Sequence, residues 1–135
     1  MEVRLANSRP AFLDEITMQA ESGGRRYGAD GDILRSTAGA MGEMQVMPET
    51  ARQPGFGVRP WNGASADDLA RVGRDYRQAM YDKYKGDPAL MWGAYNWGPG
   101  NVDAALARHG PNWLQSAPPE TRKYINDNLA RMRNR

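Results

Sequence analysis

Apolar residues recur at helical spacing through most of the chain. Leu13, Ile16 and Ala20 fall on one face of a segment that Pro10 opens and Gly23-Gly24 closes, which predicts a helix over residues 10–21. A short helix is expected from Pro48, ending before Pro54-Gly55. Ser65 offers an N-cap with Asp68 three residues on, in the manner of a capping box. Leu69, Val72, Tyr76 and Met80 then follow at helical spacing until about Gly86. Asp87-Pro88 is a cap followed by a first-turn proline and predicts a strongly apolar helix over residues 89–96. Gly98-Pro99-Gly100 reads as a sharp break, with a further helix over residues 101–108. A last helix follows Pro118-Pro119, and Ile125, Leu129 and Met132 line its inner face. Between helices, residues 25–37 are rich in Gly and Asp and predict a loop with room for a small β-hairpin. Residues 55–63 form an irregular connection carrying Phe56 and Trp61. No repeat or linker divides the chain, so a single, mainly α domain over residues 1–135 is expected.

Composition narrows the chemistry. Of 135 residues, 40% are hydrophobic and 25% charged, the balance of an ordinary globular domain with enough chain to bury a core. Zero cysteines exclude a disulfide framework and thiolate metal sites. The one histidine, His109, precedes Gly110-Pro111 and is read as a helix C-terminal residue favouring the dipole, which leaves little room for a Ser-His-Asp or Cys-His mechanism. Asp30-Gly31-Asp32 lacks the further ligands of an EF-hand loop, and no metal is expected. A net charge of +2 is no footprint for nucleic acid. Arg131, Arg133 and Arg135 gather at the end as a solvated tail able to attract an anionic polymer. No stretch is apolar enough to span a membrane, and the first seven residues lack the centre of a signal peptide.

Four segments carry candidate chemistry. Glu21, in Ala20-Glu21-Ser22-Gly23-Gly24, puts a carboxyl at a helix end. In Gly39-Ala40-Met41-Gly42-Glu43-Met44-Gln45-Val46-Met47-Pro48 the glycines let backbone approach a ligand. There Met44 and Met47 offer adaptable apolar contact, and Gln45 offers both a donor and an acceptor. In Ala94-Tyr95-Asn96-Trp97-Gly98, Tyr95 can pack on a flat apolar face and Asn96 can hydrogen-bond an amide, unless they serve as a core tyrosine and a C-cap. Glu120-Thr121-Arg122-Lys123-Tyr124 places a hydroxyl in the first turns of the last helix, to hold Glu21, to hold a ligand, or to sit in the core.

Taken in order, Glu-Ser, Gly-Ala-x-Gly-x-Met-Gln-x-Met-Pro, Ala-Tyr-Asn-x-Gly-x-x-x-Val and Glu-Thr-Arg-x-Tyr resemble the soluble lytic transglycosylase family, related in fold to goose-type lysozyme. The match covers residues 12–128. The resemblance implies a lysozyme-like domain with a substrate groove, no cofactor and no metal. It implies cleavage of peptidoglycan between N-acetylmuramic acid and N-acetylglucosamine, leaving 1,6-anhydromuramoyl ends. Glu21 would be the catalytic acid and then base at the groove floor. Ser22 would orient that carboxyl, Gln45, Tyr95, Asn96 and Tyr124 would line the groove, and Met44 would border the sugar beside the scissile bond.

An acid is needed because an alkoxide is a poor leaving group. One carboxyl suffices where the sugar's own amide oxygen or 6-hydroxyl attacks the anomeric carbon. Burial against apolar side chains would raise its pKa, to roughly 6 in typical acids of this kind. Two positions depart from the family pattern. Glu43 replaces a usual leucine and faces solvent or an arginine, or else is a second carboxylate that favours hydrolysis. Trp97 replaces a usual small residue and narrows the groove or fills the core. The rival readings are a hydrolysing muramidase on the same fold and an inactive wall-binding or structural virion module. The missing leader, compact size and Gly42-Glu43-Met44-Gln45 variant point to a bacteriophage particle or prophage that acts at the cell wall, in the periplasm, beside other virion proteins.

Overall fold

The computed structural model describes residues 10–134. Among these residues six α-helices follow one another: α1 (Ala11–Ser22), α2 (Pro48–Arg52), α3 (Ala66–Lys83), α4 (Pro88–Trp97), α5 (Pro99–His109) and α6 (Pro119–Arg133), with a 3-10 helix, Gly110–Ser116, between the last two. Prolines stand in the first turn of α2, α4, α5 and α6, where a missing N–H costs nothing. Gly23, at φ 67°, closes α1 in the left-handed conformation that its lack of a Cβ permits. Ser65 accepts from the Asp68 N–H, but the return half of the capping box is missing, because Asp68 accepts instead from the Asn62 N–H. The expected break at Gly98-Pro99-Gly100 is also a start. Gly98 ends α4 and caps α5, so α5 begins two residues before the predicted 101. In place of a hairpin, residues 27–46 hold three isolated antiparallel bridges, Tyr27 with Ile33, Arg35 with Met41, and Met41 with Val46.

The apolar faces close on two cores. The larger gathers Leu13, Ile16, Met80, Met91, Trp92, Val102, Trp113 and Ile125 from the helices. Leu129 and Met132 pack against it, as their spacing predicted. The smaller holds Met41, Met44 and Val46 from the bridged segment, Ala51 from α2, and Leu69 and Val72 from α3. Trp61 of the irregular stretch covers this second core. Arg71 holds that stretch in place by donating to the carbonyls of Arg59 and Pro60.

Two polar contacts fix α1 against the bundle. The Trp92 indole donates to the Thr17 hydroxyl, 2.9 Å, inside the core. Arg77, fully buried on α3, donates to Asp14 at 2.6 Å, to Gln78 and to the Met91 sulfur. Charge-assisted bonds of this kind are strong, and removing one partner would leave an uncompensated buried charge.

α3 passes close under the bridged segment at Gly73. A Cβ built there would lie 2.4 Å from the Met44 Cβ and 2.7 Å from its Cγ. Alanine normally improves a helix over glycine by about 1 kcal/mol. Here the overlap falls on the root of the Met44 side chain, so overpacking wins. Gly73→Ala is expected to destabilise the domain by about 1–3 kcal/mol in denaturant unfolding. An equally or more stable variant would show that the segment can lift off α3.

Candidate active site

The four candidate segments meet. Ser22, at the end of α1, donates to the Glu43 carbonyl at 2.8 Å. Beside it, the Tyr95 hydroxyl of α4 donates to the Met44 carbonyl at 2.7 Å. Next along α4, Asn96 accepts from the Thr121 hydroxyl of α6 at 2.8 Å. One turn further on α6, Tyr124 donates to the Glu21 carboxylate at 2.7 Å. Glu21 and Ser22 are neighbours, so the four bonds close a ring: α1, the 43–44 turn, α4, α6 and back to α1. Thr121 and Tyr124 stand three apart on one helix face, a separation of about 5–6 Å, which sets Asn96 and Glu21 side by side.

Glu21 occupies the penultimate position of α1, with its side chain largely withdrawn from water. Burial raises its pKa from 4.5 to about 7; the Tyr124 hydrogen bond pulls it down, and the charge of Glu120 adds to the rise. The carboxyl therefore keeps a large share of its proton at neutral pH. Tyr124 is pushed well above the usual tyrosine pKa by burial and by Glu21, and so remains a hydrogen-bond donor.

A cleft of about 240 Å³ opens beside the ring, between the bridged segment and the C-terminal end of α4. Gln45, Met47 and Thr50 line one side, and Tyr95, Asn96 and Trp97 the other, with Tyr76 of α3 also in the wall. Gln45 sits at φ 50°, an uncommon conformation for a residue with a Cβ. It is held there because its backbone N–H and its side-chain amide both donate to the Gly42 carbonyl, at 3.1 and 2.8 Å.

Several expected roles shift. Glu21 does not line this cleft; it adjoins it through Tyr124, Thr121 and Asn96. Ser22 anchors the Glu43 carbonyl instead of the Glu21 carboxyl, which Tyr124 holds. Met44 is 2% exposed and buried in the second core, so its side chain is not offered to a ligand; Met47, 43% exposed, faces the cleft. Tyr95 spends its hydroxyl on the Met44 carbonyl and contributes only to the wall. Asn96 is exposed at the rim and does not cap α4, a task that falls to Gly98.

The two departures from the family pattern also find places. The Glu43 carboxylate pairs with Arg26 at 2.5 Å, and Arg26 also pairs with Asp67. Those two partners raise the pKa of the guanidinium. The arginine alternative thus describes Glu43, and its carboxylate is occupied where a second catalytic acid would need to be free. Trp97 does both things considered for it: it packs against the larger core and walls the cleft. Asp30 accepts from the Asp32 N–H and closes a turn. His109 ends α5, as expected, and is exposed. Arg131 donates to Asn128, whereas Arg135 lies outside the described residues, as does the N-terminal segment read for a leader. No helix among the described residues is long and apolar enough to cross a membrane. Thr121 and Arg26 were not foreseen as members or supports of the site; Thr121 stood within the fourth motif, one turn before Tyr124.

Known proteins are similar to this chain in sequence and in fold. The model of the transglycosylase SLT domain matches residues 7–112. The soluble lytic murein transglycosylases of two Escherichia coli strains are 30% identical over 110 residues, which are 72% of this chain and 17% of theirs. Among solved structures, an inactive mutant of the lytic transglycosylase Slt from Pseudomonas aeruginosa superposes with a TM-score of 0.70 and 27% identity, over 94% of this chain and 22% of that one. The 70 kDa soluble lytic transglycosylase of Escherichia coli gives 0.69 and 26%, over 91% and 21%. This chain spans less than a quarter of the length of these relatives. With a matched region that runs through α5 and a mainly helical fold in common, the chain belongs to the transglycosylase SLT domain family.

Proposed function

We propose that this domain cleaves the glycan strands of peptidoglycan by lytic transglycosylation, with Glu21 as its one acid and base. The observation that carries the reading is a carboxyl with a pKa of about 7, held by a tyrosine hydroxyl beside a cleft with amide-bearing rims. In the first step protonated Glu21 gives its proton to the oxygen between N-acetylmuramic acid and N-acetylglucosamine as the bond from that oxygen to the anomeric carbon breaks. The acetamido oxygen of the muramoyl unit stabilises the anomeric carbon. In the second step the 6-hydroxyl of the same sugar attacks that carbon, and its proton returns to the Glu21 carboxylate. The ring closes as the 1,6-anhydro product, no water is consumed, and the carboxyl ends as it began.

One feature favours this over hydrolysis by a carboxylate pair. Inverting and retaining hydrolases hold a second free carboxylate about 5–9.5 Å from the acid. The candidate for that place, Glu43, is bound by Arg26. The intact set of Glu21, Gln45, Asn96 and Tyr124 weighs against an inactive wall-binding module. Action at the cell wall in the periplasm, with delivery by a bacteriophage particle, belongs to the same proposal; the phage placement is drawn from the character of the sequence.

Mass spectrometry of digested sacculi tests the reaction. Anhydromuramoyl ends are expected from the wild type and none from Glu21→Gln; reducing ends with added water would instead identify a hydrolase.

The same carboxyl links activity to stability. Its folded pKa is raised, so its contribution is complete below about pH 4.5 and is lost as pH rises through about 7. A shift of this size corresponds to at most about 3 kcal/mol. Glu21→Gln removes the ionisation, and should match the wild type in unfolding free energy near pH 4 and exceed it near pH 8, by up to about 3 kcal/mol. Parallel curves at both pH values would mean that Glu21 is solvated and unsuited to the role. For the wild type, kcat/KM should fall about tenfold per pH unit above roughly 7, as the acid form is lost.

Tyr124→Phe should slow turnover by about 10- to 100-fold, the range for a lost supporting hydrogen bond. Because the Tyr124 bond lowers the Glu21 pKa, its removal should also move the alkaline limb of the pH profile upward. An unchanged rate and limb would return Tyr124 to a packing role.

A further inference from the structure

Phe56 is 53% exposed and lies in the irregular stretch that no motif explains. It stands at φ 55° between Gly55 at 70° and Gly57 at 75°, three consecutive residues in the left-handed region. Glycine enters that region freely, whereas a bulky side chain there is an outlier that must be held in place. What this conformation achieves is the display of a ring. Phe56 meets Tyr76 edge-on, with centroids 6.1 Å apart at 75°, and about half the ring stays open to water. Tyr76 in turn packs near Tyr95, 6.0 Å away, and both walls belong to the catalytic cleft. The three rings therefore form a series, Tyr95 to Tyr76 to Phe56, that leads away from the cleft.

On the outer side, Phe56 borders a separate cavity of about 260 Å³ whose polar wall is Asp75, Gln78 and Asp82. Gln78 donates to Asp82 Oδ1 at 3.0 Å and accepts from Arg77, so the amide and the carboxylate are set in fixed orientations; Arg71 lies 3.5 Å from Asp75. An exposed aromatic ring beside ordered oxygen acceptors matches the two sides of a pyranose, which has an apolar face of C–H groups and a rim of hydroxyl donors. The volume is below that of whole-ligand pockets and suits a single ring. The Asp82 carboxylate, bonded to the neutral Gln78 amide, repels an anionic unit and admits a neutral one.

We propose that Phe56, Asp75, Gln78 and Asp82 form an accessory subsite for one neutral N-acetylhexosamine unit of the glycan strand, reached across Tyr76 from the cleft. The assignment rests on the glycan-cleaving reading above. The subsite binds strand that extends beyond the cleft and so makes affinity depend on length.

The test uses Glu21→Gln as a non-cleaving parent, with N-acetylglucosamine trimer and hexamer as neutral probes in isothermal titration. The parent should bind the hexamer more tightly than the trimer. Phe56→Ala and Phe56→Gly, the second of which suits the backbone conformation, should each weaken the hexamer about 5- to 30-fold, the effect of uncovering half an aromatic ring, and leave the trimer unchanged. Phe56→Trp should keep the hexamer affinity. Equal hexamer affinity with and without the ring would overturn the subsite, as would a parallel loss for both lengths, which marks a general disturbance of the fold. A parent that binds neither oligomer would overturn it too. Anhydromuramoyl products from the wild type report on the glycan-cleaving reading separately, so the two failures are distinguishable.

Discussion

A closed ring of four side-chain hydrogen bonds holds the candidate site together, and the placement of Glu21, Asn96 and Tyr124 depends on it. Each bond joins a different pair of elements: α1 to the 43–44 turn, the turn to α4, α4 to α6, and α6 to α1. Three of the four end on groups that are buried or partly buried, where an unmade bond leaves a polar atom without water. The members therefore support one another. Tyr124 has a fixed place because Thr121 is tied to Asn96, and the 43–44 turn has a fixed height because Ser22 and Tyr95 hold adjacent carbonyls. The apolar cores supply most of the stability, but they are compatible with small slides of one helix on another. The ring is what converts approximate packing into a defined position for one carboxyl.

That position has an electrostatic consequence. A glutamate at a helix C-terminus meets the negative end of the dipole, which already favours its neutral form. Burial adds to the effect, and the result is a group poised near neutrality. The buried cation of α3, Arg77, takes no part in this. It is sealed in the core against Asp14, eight positions back from Ser22 along α1. Arg26, close in sequence to the first motif, is committed to Glu43 and Asp67. Both arginines are neutralised by carboxylates elsewhere, and the causes of the Glu21 shift include no positive charge.

Much of this was legible in the sequence. Prolines and glycines punctuate the chain so clearly that the main helices fall within three residues of their expected bounds, and the residues of the four motifs do converge. What was not legible is which atom meets which. Ser22 was expected at its neighbour's carboxyl and instead reaches a carbonyl 21 residues away. Tyr95 was expected to pack on a ligand's flat face, and the string gives no sign that its hydroxyl reaches a backbone carbonyl 51 residues back. Such pairings depend on the rotation and register of packed helices, which periodicity does not encode. Met44 and Met47 look equivalent in the string, yet the close passage of Gly73 draws one into the core and leaves the other at the cleft. The 3-10 turn at Gly110–Ser116 is too short to show any period.

The two atoms of the Tyr124–Glu21 bond are 103 residues apart along the polymer. Since a chain emerges from the ribosome in order, the carboxyl is made early and waits for most of the domain before its partner exists. Through that interval Glu21 is an ordinary acid, ionised in water and harmless. For a domain whose proposed substrate is a structural layer of a cell, the bond that sets this carboxyl in place therefore forms late in biosynthesis.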